Sequence, residues 1–332
     1  MLEFFLLNIA GYNSKLIGDS TCFKHNHELN FSYYKKNCEY SEKHWESKET
    51  INYFFNEYGR RDGKSFKNMP KVAFLGDSFT AGLMVNINDN YNYYAFNNLI
   101  KKKYTVHNYG VAGEQADNIF NKLRHTNFNE YKHIIYGLTP NDFFDYLEYQ
   151  SAENKIENKA LTKTPILKVD NNYNLYFNFI NYLKQILLKT ATSKFLLHSF
   201  MSIDNIYIKI YSSRKPYSEY LNSNLNSKWI KALDKFDSNL STLPLKIKNK
   251  LSIFLLPQRG EVVSNRLNKY SNTFKSRVQK ICEKNQIKFY YANIDELSKL
   301  KSSHFAVDGH LTREGNHIVA IDLSDWINAW GN

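Results

Sequence analysis

The chain is poor in the residues and runs that characterise disulfide-rich, membrane-spanning or repetitive proteins. Its 332 residues include only 3 cysteines, 6 prolines and 13 glycines. A small, odd number of cysteines does not indicate a disulfide scaffold. Cys22 and Cys38 would be able to pair in an exported protein, but we expect unpaired thiols. No apolar run approaches the roughly 20 residues that a membrane-spanning helix requires. No internal repeat or low-complexity linker is present.

The first ten residues are apolar, yet they lack the basic leader of a secretory signal. This favours a cytoplasmic location. The alternative is a cell-envelope location, in which this segment is a docking helix or the remnant of an anchor and contacts a membrane surface. The sequence leaves the oligomeric state open.

The chain is basic, with a formal net charge of +12, and its mean hydropathy of −0.55 is typical of a soluble protein. A basic surface favours anionic partners. The longest basic run, Lys101–Lys103, falls at the end of a predicted helix, where cations suit the helix dipole. No nucleic-acid motif is present, so we expect no nucleic-acid partner. Cys22, His25 and His27 do not have the spacing of a standard metal site. We therefore expect no metal and no cofactor.

Strand-like and helix-like segments alternate from residue 71 onwards. This order predicts an α/β domain with a parallel sheet covered on both faces. The predicted strands are Lys71–Gly76, Tyr104–Tyr109, His133–Leu138, Lys250–Leu256 and Ile287–Ala292, and the predicted helices are Asn90–Lys102, Glu114–His125, Ser271–Asn285 and Glu314–Trp330.

The alternation also divides the chain. Residues 1–69 show little periodicity and are predicted to be an N-terminal extension to an α/β domain over 70–332. The third and fourth predicted strands are too far apart for a plain loop. We predict an insertion at about 146–245 that caps the sheet edge or the site, with a hairpin at Pro165–Asn178 and helices at Phe179–Ser213 and Asn226–Leu240.

The most informative motif is Gly76-Asp77-Ser78, which directly follows the first predicted strand. Ligands of open α/β sheets bind at the carboxyl ends of the strands. A serine hydroxyl at this edge becomes a nucleophile when a base reaches it. The alternative is structural, because serine is also a common helix N-cap.

Three further segments follow predicted strands and supply the other groups that acyl transfer needs. They contain Gly113, Asn141, and the pair Asp308 and His310. In this interpretation Ser78 attacks, His310 accepts and returns the proton, and Asp308 orients the imidazole. The backbone N–H groups of Ser78 and Gly113 and the amide of Asn141 stabilise the oxyanion.

Each of these residues also has a structural interpretation. His310 would be a helix cap or a core histidine, Asp308 would start a turn with Gly309, and Asn141 would cap the following segment. Gly113 would serve only to adopt a positive φ angle.

Two more residues are candidates for substrate contact. Asp77 lies beside the candidate nucleophile, and Arg259, after the fourth strand, would bind an anionic substrate.

In this order, the four segments resemble the four blocks of the SGNH (GDSL) hydrolase superfamily. The serine, glycine, asparagine and histidine of that name match Ser78, Gly113, Asn141 and His310. The resemblance implies a flavodoxin-like three-layer α/β/α sandwich with a five-stranded parallel sheet. It also implies an esterase mechanism without a metal.

The chain departs from the usual family pattern at two places. One residue separates Asp308 from His310, where the family usually has two, and this resembles a subset of envelope-polysaccharide acetyltransferases and their relatives. Thr139-Pro140 lengthens the third block before Asn141. The earlier segment with Gly59 and Arg61-Asp62 resembles bacterial SGNH proteins associated with surface glycans.

These observations predict a serine esterase that removes a small acyl group, acetyl in the first instance, from a carbohydrate or a related small ester. One alternative is an O-acyltransferase that acts on a surface polysaccharide with the same residues. Another is a glycan-binding module that has the fold but no activity.

Overall fold

The computed structural model describes residues 22–43, 49–62, 68–100, 104–143, 227–263, 268–300, 302–305 and 309–329. Three predictions lie outside these residues: the apolar N-terminal segment, the hairpin at Pro165–Asn178 and the helix at Phe179–Ser213. Asp308 also lies outside them. Within the described part of the chain, no helix is long and apolar enough to cross a membrane.

The described residues form nine strands, nine α-helices and several short 3₁₀ or π turns. The strands are β1 (Phe23–Asn26), β2 (Phe31–Tyr34), β3 (Cys38–Lys43), β4 (Thr50–Phe55), β5 (Lys71–Gly76), β6 (Thr105–Asn108), β7 (Tyr131–Leu138), β8 (Leu251–Leu255) and β9 (Lys288–Tyr291). The helices are α1 (Ser78–Ala81), α2 (Tyr91–Tyr94), α3 (Ala116–His125), α4 (Ser227–Ser241), α5 (Leu245–Lys248), α6 (Arg259–Val263), α7 (Asn268–Lys284), α8 (Ile294–Lys299) and α9 (Arg313–Asn328).

The central sheet has five parallel strands in the order β6-β5-β7-β8-β9. In chain order this is 2-1-3-4-5, the arrangement of flavodoxin-like folds. The inner strands β5 and β8 are nearly continuous buried runs, as expected where helices cover both faces. All five residues of β8, for example, are buried. The predicted fold class, a three-layer α/β/α sandwich with five parallel strands, is confirmed.

Each face of the sheet has its own apolar core, because successive side chains of a strand point to opposite faces. Ile134 and Tyr136 pack with helices α3, α4 and α7, whereas Ile135 between them packs with α2, α8 and α9. Both layers of helices are therefore held by the same strands.

The predicted strands match the observed ones within two residues at each end, and α4 matches the helix predicted at Asn226–Leu240. The helix predicted at Asn90–Lys102 is different. It begins as α2 but passes into a π turn over Ala95–Leu99.

The N-terminal region, residues 22–62, contains two antiparallel hairpins, β1–β2 and β3–β4. Ile51, Tyr53 and Phe55 of β4 are buried and alternate with exposed neighbours. They pack with Leu83 and Met84, which follow α1. The predicted extension therefore contains regular β-structure over these residues, although its sequence shows little periodicity overall.

A disulfide joins Cys22, which directly precedes β1, to Cys38, the first residue of β3. The expectation of unpaired thiols is corrected, because the fold brings the two residues to 5.7 Å between Cα atoms. Cys22 is fully buried.

A buried ion pair fixes the N-terminal region to the α/β domain. Lys122 Nζ of α3 lies 2.6 Å from Glu114 Oε2, and the two side chains are 4% and 0% exposed. The other carboxylate oxygen of Glu114 accepts the backbone N–H of Ser32 in β2 at 2.9 Å. Glu114 directly follows Gly113, so the same carboxylate connects the candidate oxyanion loop to β2.

Loss of the disulfide should lower stability. We expect a Cys22→Ala/Cys38→Ala variant to have a free energy of unfolding about 3 kcal/mol below wild type, because the closed loop restricts the unfolded chain. Urea unfolding with and without reductant measures this. Reductant should destabilise the wild type but leave the variant unchanged; a wild type insensitive to reductant contradicts the expectation.

Loss of the buried Lys122 cation should lower the free energy of unfolding more than loss of an exposed cation. We expect Lys122→Met to lower the free energy of unfolding by about 3–5 kcal/mol, since Glu114 keeps an unpaired buried charge. Adding Glu114→Gln should recover at least about 1 kcal/mol, because the charge is removed and the acceptor for Ser32 remains. Lys299→Met, in an exposed pair, should change stability by less than about 1 kcal/mol. A double variant no more stable than Lys122→Met argues against a buried-charge effect.

Candidate active site

Ser78 is the first residue of α1, at the carboxyl end of β5, which lies between β6 and β7 in the sheet. The N-cap of this helix is Asp77, whose carboxylate accepts the backbone N–H of Phe79 at 2.9 Å. The capping interpretation of Ser78 is therefore wrong, and its hydroxyl is available for another partner.

That partner is His310. His310 Nε2 lies 2.6 Å from Ser78 Oγ, although the two residues are 232 positions apart in the sequence. The Phe79 ring packs beside the imidazole, with 5.0 Å between ring centroids. The structure thus brings together the predicted nucleophile and the predicted base at hydrogen-bonding distance.

A short antiparallel pairing positions the turn that carries His310. His304 pairs with Leu311, the N–H of Phe305 donates to the carbonyl of His310 at 2.8 Å, and the N–H of Thr312 donates to the carbonyl of Ser303 at 3.0 Å. Thr312 is the N-cap of α9. His310 is therefore not a helix cap, which removes one of its structural interpretations.

Gly113 lies in the loop between β6 and α3. Its φ angle of +78° is in the region that favours glycine, and a Cβ atom at this position would have nothing within 4 Å. The predicted positive φ is thus present, and the space beside this backbone is open. Its role as an oxyanion donor stays a prediction.

Asn141 lies in a 3₁₀ turn, Pro140–Phe143, directly after β7. Its Nδ2 donates to Asp77 Oδ2 at 2.8 Å, and its Oδ1 accepts a hydrogen bond from Gln258 Nε2. A carboxamide nitrogen has two hydrogens, so the bond to Asp77 leaves a second N–H for an oxyanion.

The two candidates for substrate contact have different surroundings. Asp77 has no exposed surface, and its carboxylate accepts from Phe79, Asn141 and Thr139. Its interpretation as a substrate-binding residue is corrected, since a fully buried carboxylate does not reach a substrate. Arg259 is half-buried at the start of α6, and its role as an anion-binding residue stays a prediction.

Buried asparagines hold the helix that carries Ser78. The Thr80 carbonyl in α1 accepts hydrogen bonds from the side-chain amides of Asn90, Asn92 and Asn108, at 3.2, 3.1 and 2.9 Å. These donors come from the start of α2 and the end of β6. They satisfy a backbone oxygen that a one-turn helix leaves without a partner of its own.

Arg61 holds the other side of the same turn. Its guanidinium is buried and donates to the carbonyls of Ala81, Gly82 and Val85, while it packs on the Tyr53 ring at 4.3 Å. Burial lowers the pKa of this guanidinium. The sequence pointed to Arg61 only through the resemblance of its segment; its contacts with α1 were not predicted.

His304 is a buried histidine next to the His310 turn. Its imidazole lies 3.1 Å from Ser303 Oγ and 3.4 Å from the carbonyl oxygen of Pro257. Burial lowers its pKa to about 3, and the charges of Arg259 and His310 act in the same direction. Neutral His304 therefore anchors the short segment that pairs with Leu311.

The chain matches no protein-family model and no curated protein. Among solved structures, it is similar to a G-D-S-L lipolytic protein from Veillonella parvula, with 11% identity, a TM-score of 0.37, and 77% of this chain and 96% of that chain covered. A catalytic mutant of the acetylxylan esterase of Geobacillus stearothermophilus has 13% identity, a TM-score of 0.43, and 80% and 96% coverage. A lipase from a goat rumen metagenome has 10% identity, a TM-score of 0.38, and 77% and 96% coverage.

The buried histidine makes the fold sensitive to acid. The folded-state pKa of His304 lies below the value of 6.5 for an ordinary histidine, so the unfolded chain binds the extra proton between these two values. Stability from neutral His304 is complete above about pH 6.5 and falls as the pH drops towards 3, by about 2 kcal/mol at pH 5.

Urea unfolding between pH 7 and pH 4.5 tests this expectation. His304→Gln should flatten the loss of stability with acid, since glutamine takes up no proton. His125→Gln, on the exposed side of α3, is the matched control for the substitution. An unchanged pH slope in His304→Gln contradicts the assignment.

Proposed function

We propose that the protein is a serine esterase of the SGNH (GDSL) type. The observation that carries this proposal is the 2.6 Å contact between Ser78 Oγ and His310 Nε2 at the carboxyl edge of a flavodoxin-like sheet. A hydroxyl and an imidazole in this contact form a nucleophile and its base. The open space beside Gly113 and the second N–H of Asn141 support an oxyanion site on the same edge.

In the proposed reaction, His310 Nε2 takes the Ser78 proton as Oγ attacks the ester carbonyl. The carbonyl oxygen becomes an oxyanion, which the N–H groups of Ser78 and Gly113 and the Asn141 amide stabilise. His310 then gives the proton to the leaving alcohol, and the acyl group stays on Ser78. Water, deprotonated by His310, attacks this acyl-enzyme and releases the acid and the free serine.

The proposed substrate is a small acyl ester of a carbohydrate, with acetyl as the first candidate. The short spacing of Asp308 and His310 and the segment around Arg61 support this substrate by their resemblance to SGNH proteins of surface glycans. The same residues would serve an O-acyltransferase in which a sugar hydroxyl replaces water.

The disulfide bears on the location of the protein. Stable disulfides form in oxidising compartments and are rare in the cytosol. The Cys22–Cys38 bond therefore supports the cell-envelope alternative over the cytoplasm.

A fluorophosphonate probe tests the nucleophile. We expect the wild type to be labelled and Ser78→Ala to remain unlabelled, with turnover of p-nitrophenyl acetate reduced at least about 1,000-fold in Ser78→Ala and in His310→Ala. Ser241→Ala, at the exposed end of α4, is the control and should behave like the wild type.

Labelling of Ser78→Ala at the wild-type level would remove Ser78 as the nucleophile. A wild type that is neither labelled nor active would favour the glycan-binding alternative. Turnover of an acetylated oligosaccharide, with and without an unacetylated sugar acceptor, separates the two activities, since an esterase releases acetate and a transferase moves it to the acceptor.

A further inference from the structure

Gln258 has a buried side-chain amide whose nitrogen forms a hydrogen bond and whose oxygen has no partner in the part of the chain that the structure describes. It follows β8 and is only 5% exposed. Its Nε2 donates to Asn141 Oδ1, whereas its Oε1 is buried and has no hydrogen-bond partner among the described residues. A buried amide oxygen without a hydrogen bond lowers stability, and an apolar side chain of similar size would not have this cost. The presence of an amide at this position therefore needs an explanation.

The orientation of both amides is determined by Asp77. An ionised carboxylate only accepts hydrogen bonds, so Asn141 must present Nδ2 to Asp77 Oδ2, at 2.8 Å. Asn141 Oδ1 then faces Gln258, which can bind it only through Nε2. Gln258 therefore donates to Asn141, and Asn141 donates to Asp77.

A second carboxyl group keeps Asp77 in its accepting role. Thr139 Oγ1 lies 3.1 Å from Asp77 Oδ2 and 2.9 Å from Asp142 Oδ1. A hydroxyl has one hydrogen, so both contacts are hydrogen bonds only if one carboxyl group is protonated.

The surroundings favour a proton on Asp142 over one on Asp77. Burial, and then the charge of Asp77, raise the pKa of Asp142 well above its ordinary value, although hydrogen bonds from Thr139 and Tyr136 oppose this rise. Burial also raises the pKa of Asp77, but hydrogen bonds from Asn141, the N–H of Phe79 and Thr139 oppose it. With the proton on Asp142, Asp142 would donate to Thr139 and Thr139 would donate to ionised Asp77.

The direction of the Asn141 amide matters for the chemistry. With Nδ2 on the Asp77 side, its second N–H is available to an oxyanion; with the amide reversed, Oδ1 would take that place and repel the negative charge. One oxyanion donor is typically worth about 100- to 1,000-fold in rate. A donor that binds Oδ1 from the opposite side favours the productive orientation.

We propose that Gln258 is a positioning residue for acyl transfer, which holds the Asn141 amide with its N–H groups towards Asp77 and the oxyanion. This inference rests on the proposed esterase function. Gln258 acts through Asn141 and does not itself contact the substrate.

Kinetics on p-nitrophenyl acetate test this role. We expect Gln258→Leu and Gln258→Met to lower kcat about 10- to 100-fold with KM changed less than about threefold, because only an interaction of the transition state weakens. In an Asn141→Ala background, Gln258→Leu should lower kcat no further, since there is no amide left to orient. Gln279→Ala, on the exposed side of α7, is the control and should match the wild type.

Gln258→Glu separates a hydrogen-bonding role from a packing role, because a packing role alone predicts no pH dependence of the relative kcat. The ionised carboxylate of this variant has no hydrogen to give to Asn141 Oδ1, whereas the protonated carboxyl group has one. The kcat of Gln258→Glu relative to the wild type should therefore rise as the pH is lowered from 8 to 5.5. This variant keeps the size of the side chain, so it serves if Gln258→Leu and Gln258→Met do not fold.

Wild-type kcat in Gln258→Leu would overturn the inference. A further loss of kcat on adding Gln258→Leu to Asn141→Ala would also overturn it. So would a ratio of the kcat of Gln258→Glu to that of the wild type that stays constant across the pH range. These outcomes differ from failure of the proposed function, in which the wild type has no Ser78-dependent turnover and both proposals fall together.

Discussion

The geometry of the site depends on how a helix of a single turn satisfies its backbone. α1 has only four residues, so its last carbonyl oxygens have no N–H donors within the helix. The fold supplies the missing donors from elsewhere. Three asparagine amides bind the Thr80 carbonyl, and the Arg61 guanidinium binds the carbonyls of Ala81 and Gly82. Removing Arg61 would take away the side-chain donor of the Ala81 and Gly82 carbonyls, so the position of Ser78 is specified by polar contacts as well as by apolar packing.

This constraint gives the N-terminal region a part in the site. Arg61 approaches α1 from the N-terminal region, and Tyr53 of β4 packs against its guanidinium and accepts the backbone N–H of Met84 at 3.0 Å. The Glu114–Lys122 pair connects β2 to the loop that contains Gly113. Residues 22–62 therefore contact both the nucleophile turn and the candidate oxyanion loop. They add Arg61 to the asparagine donors that the α/β domain itself supplies to α1.

The sequence predicts the sheet and the Ser78–His310 pair because both follow from local patterns. Apolar runs mark the strands, and polar residues directly after them fall on one edge of a parallel sheet. The alternation of Ile51, Tyr53 and Phe55 was also readable and marks β4. The contacts of Gln258 and Arg61 could not be predicted, because they depend on side-chain directions and on partners distant in the chain. The disulfide depends in addition on the redox compartment, which the sequence did not indicate.

The charge of Asp77 has opposite effects on the two partners of the proposed reaction. A carboxylate next to Ser78 repels a developing oxyanion, but it attracts the imidazolium that forms when His310 takes the proton. His310 in turn favours ionised Asp77. Hydrogen bonds from Phe79, Thr139 and Asn141 spread the carboxylate charge. In the proposed reaction, the Asn141 amide that donates to Asp77 would present its second N–H to the oxyanion. The same amide would then both reduce the repulsion by Asp77 and stabilise the negative charge.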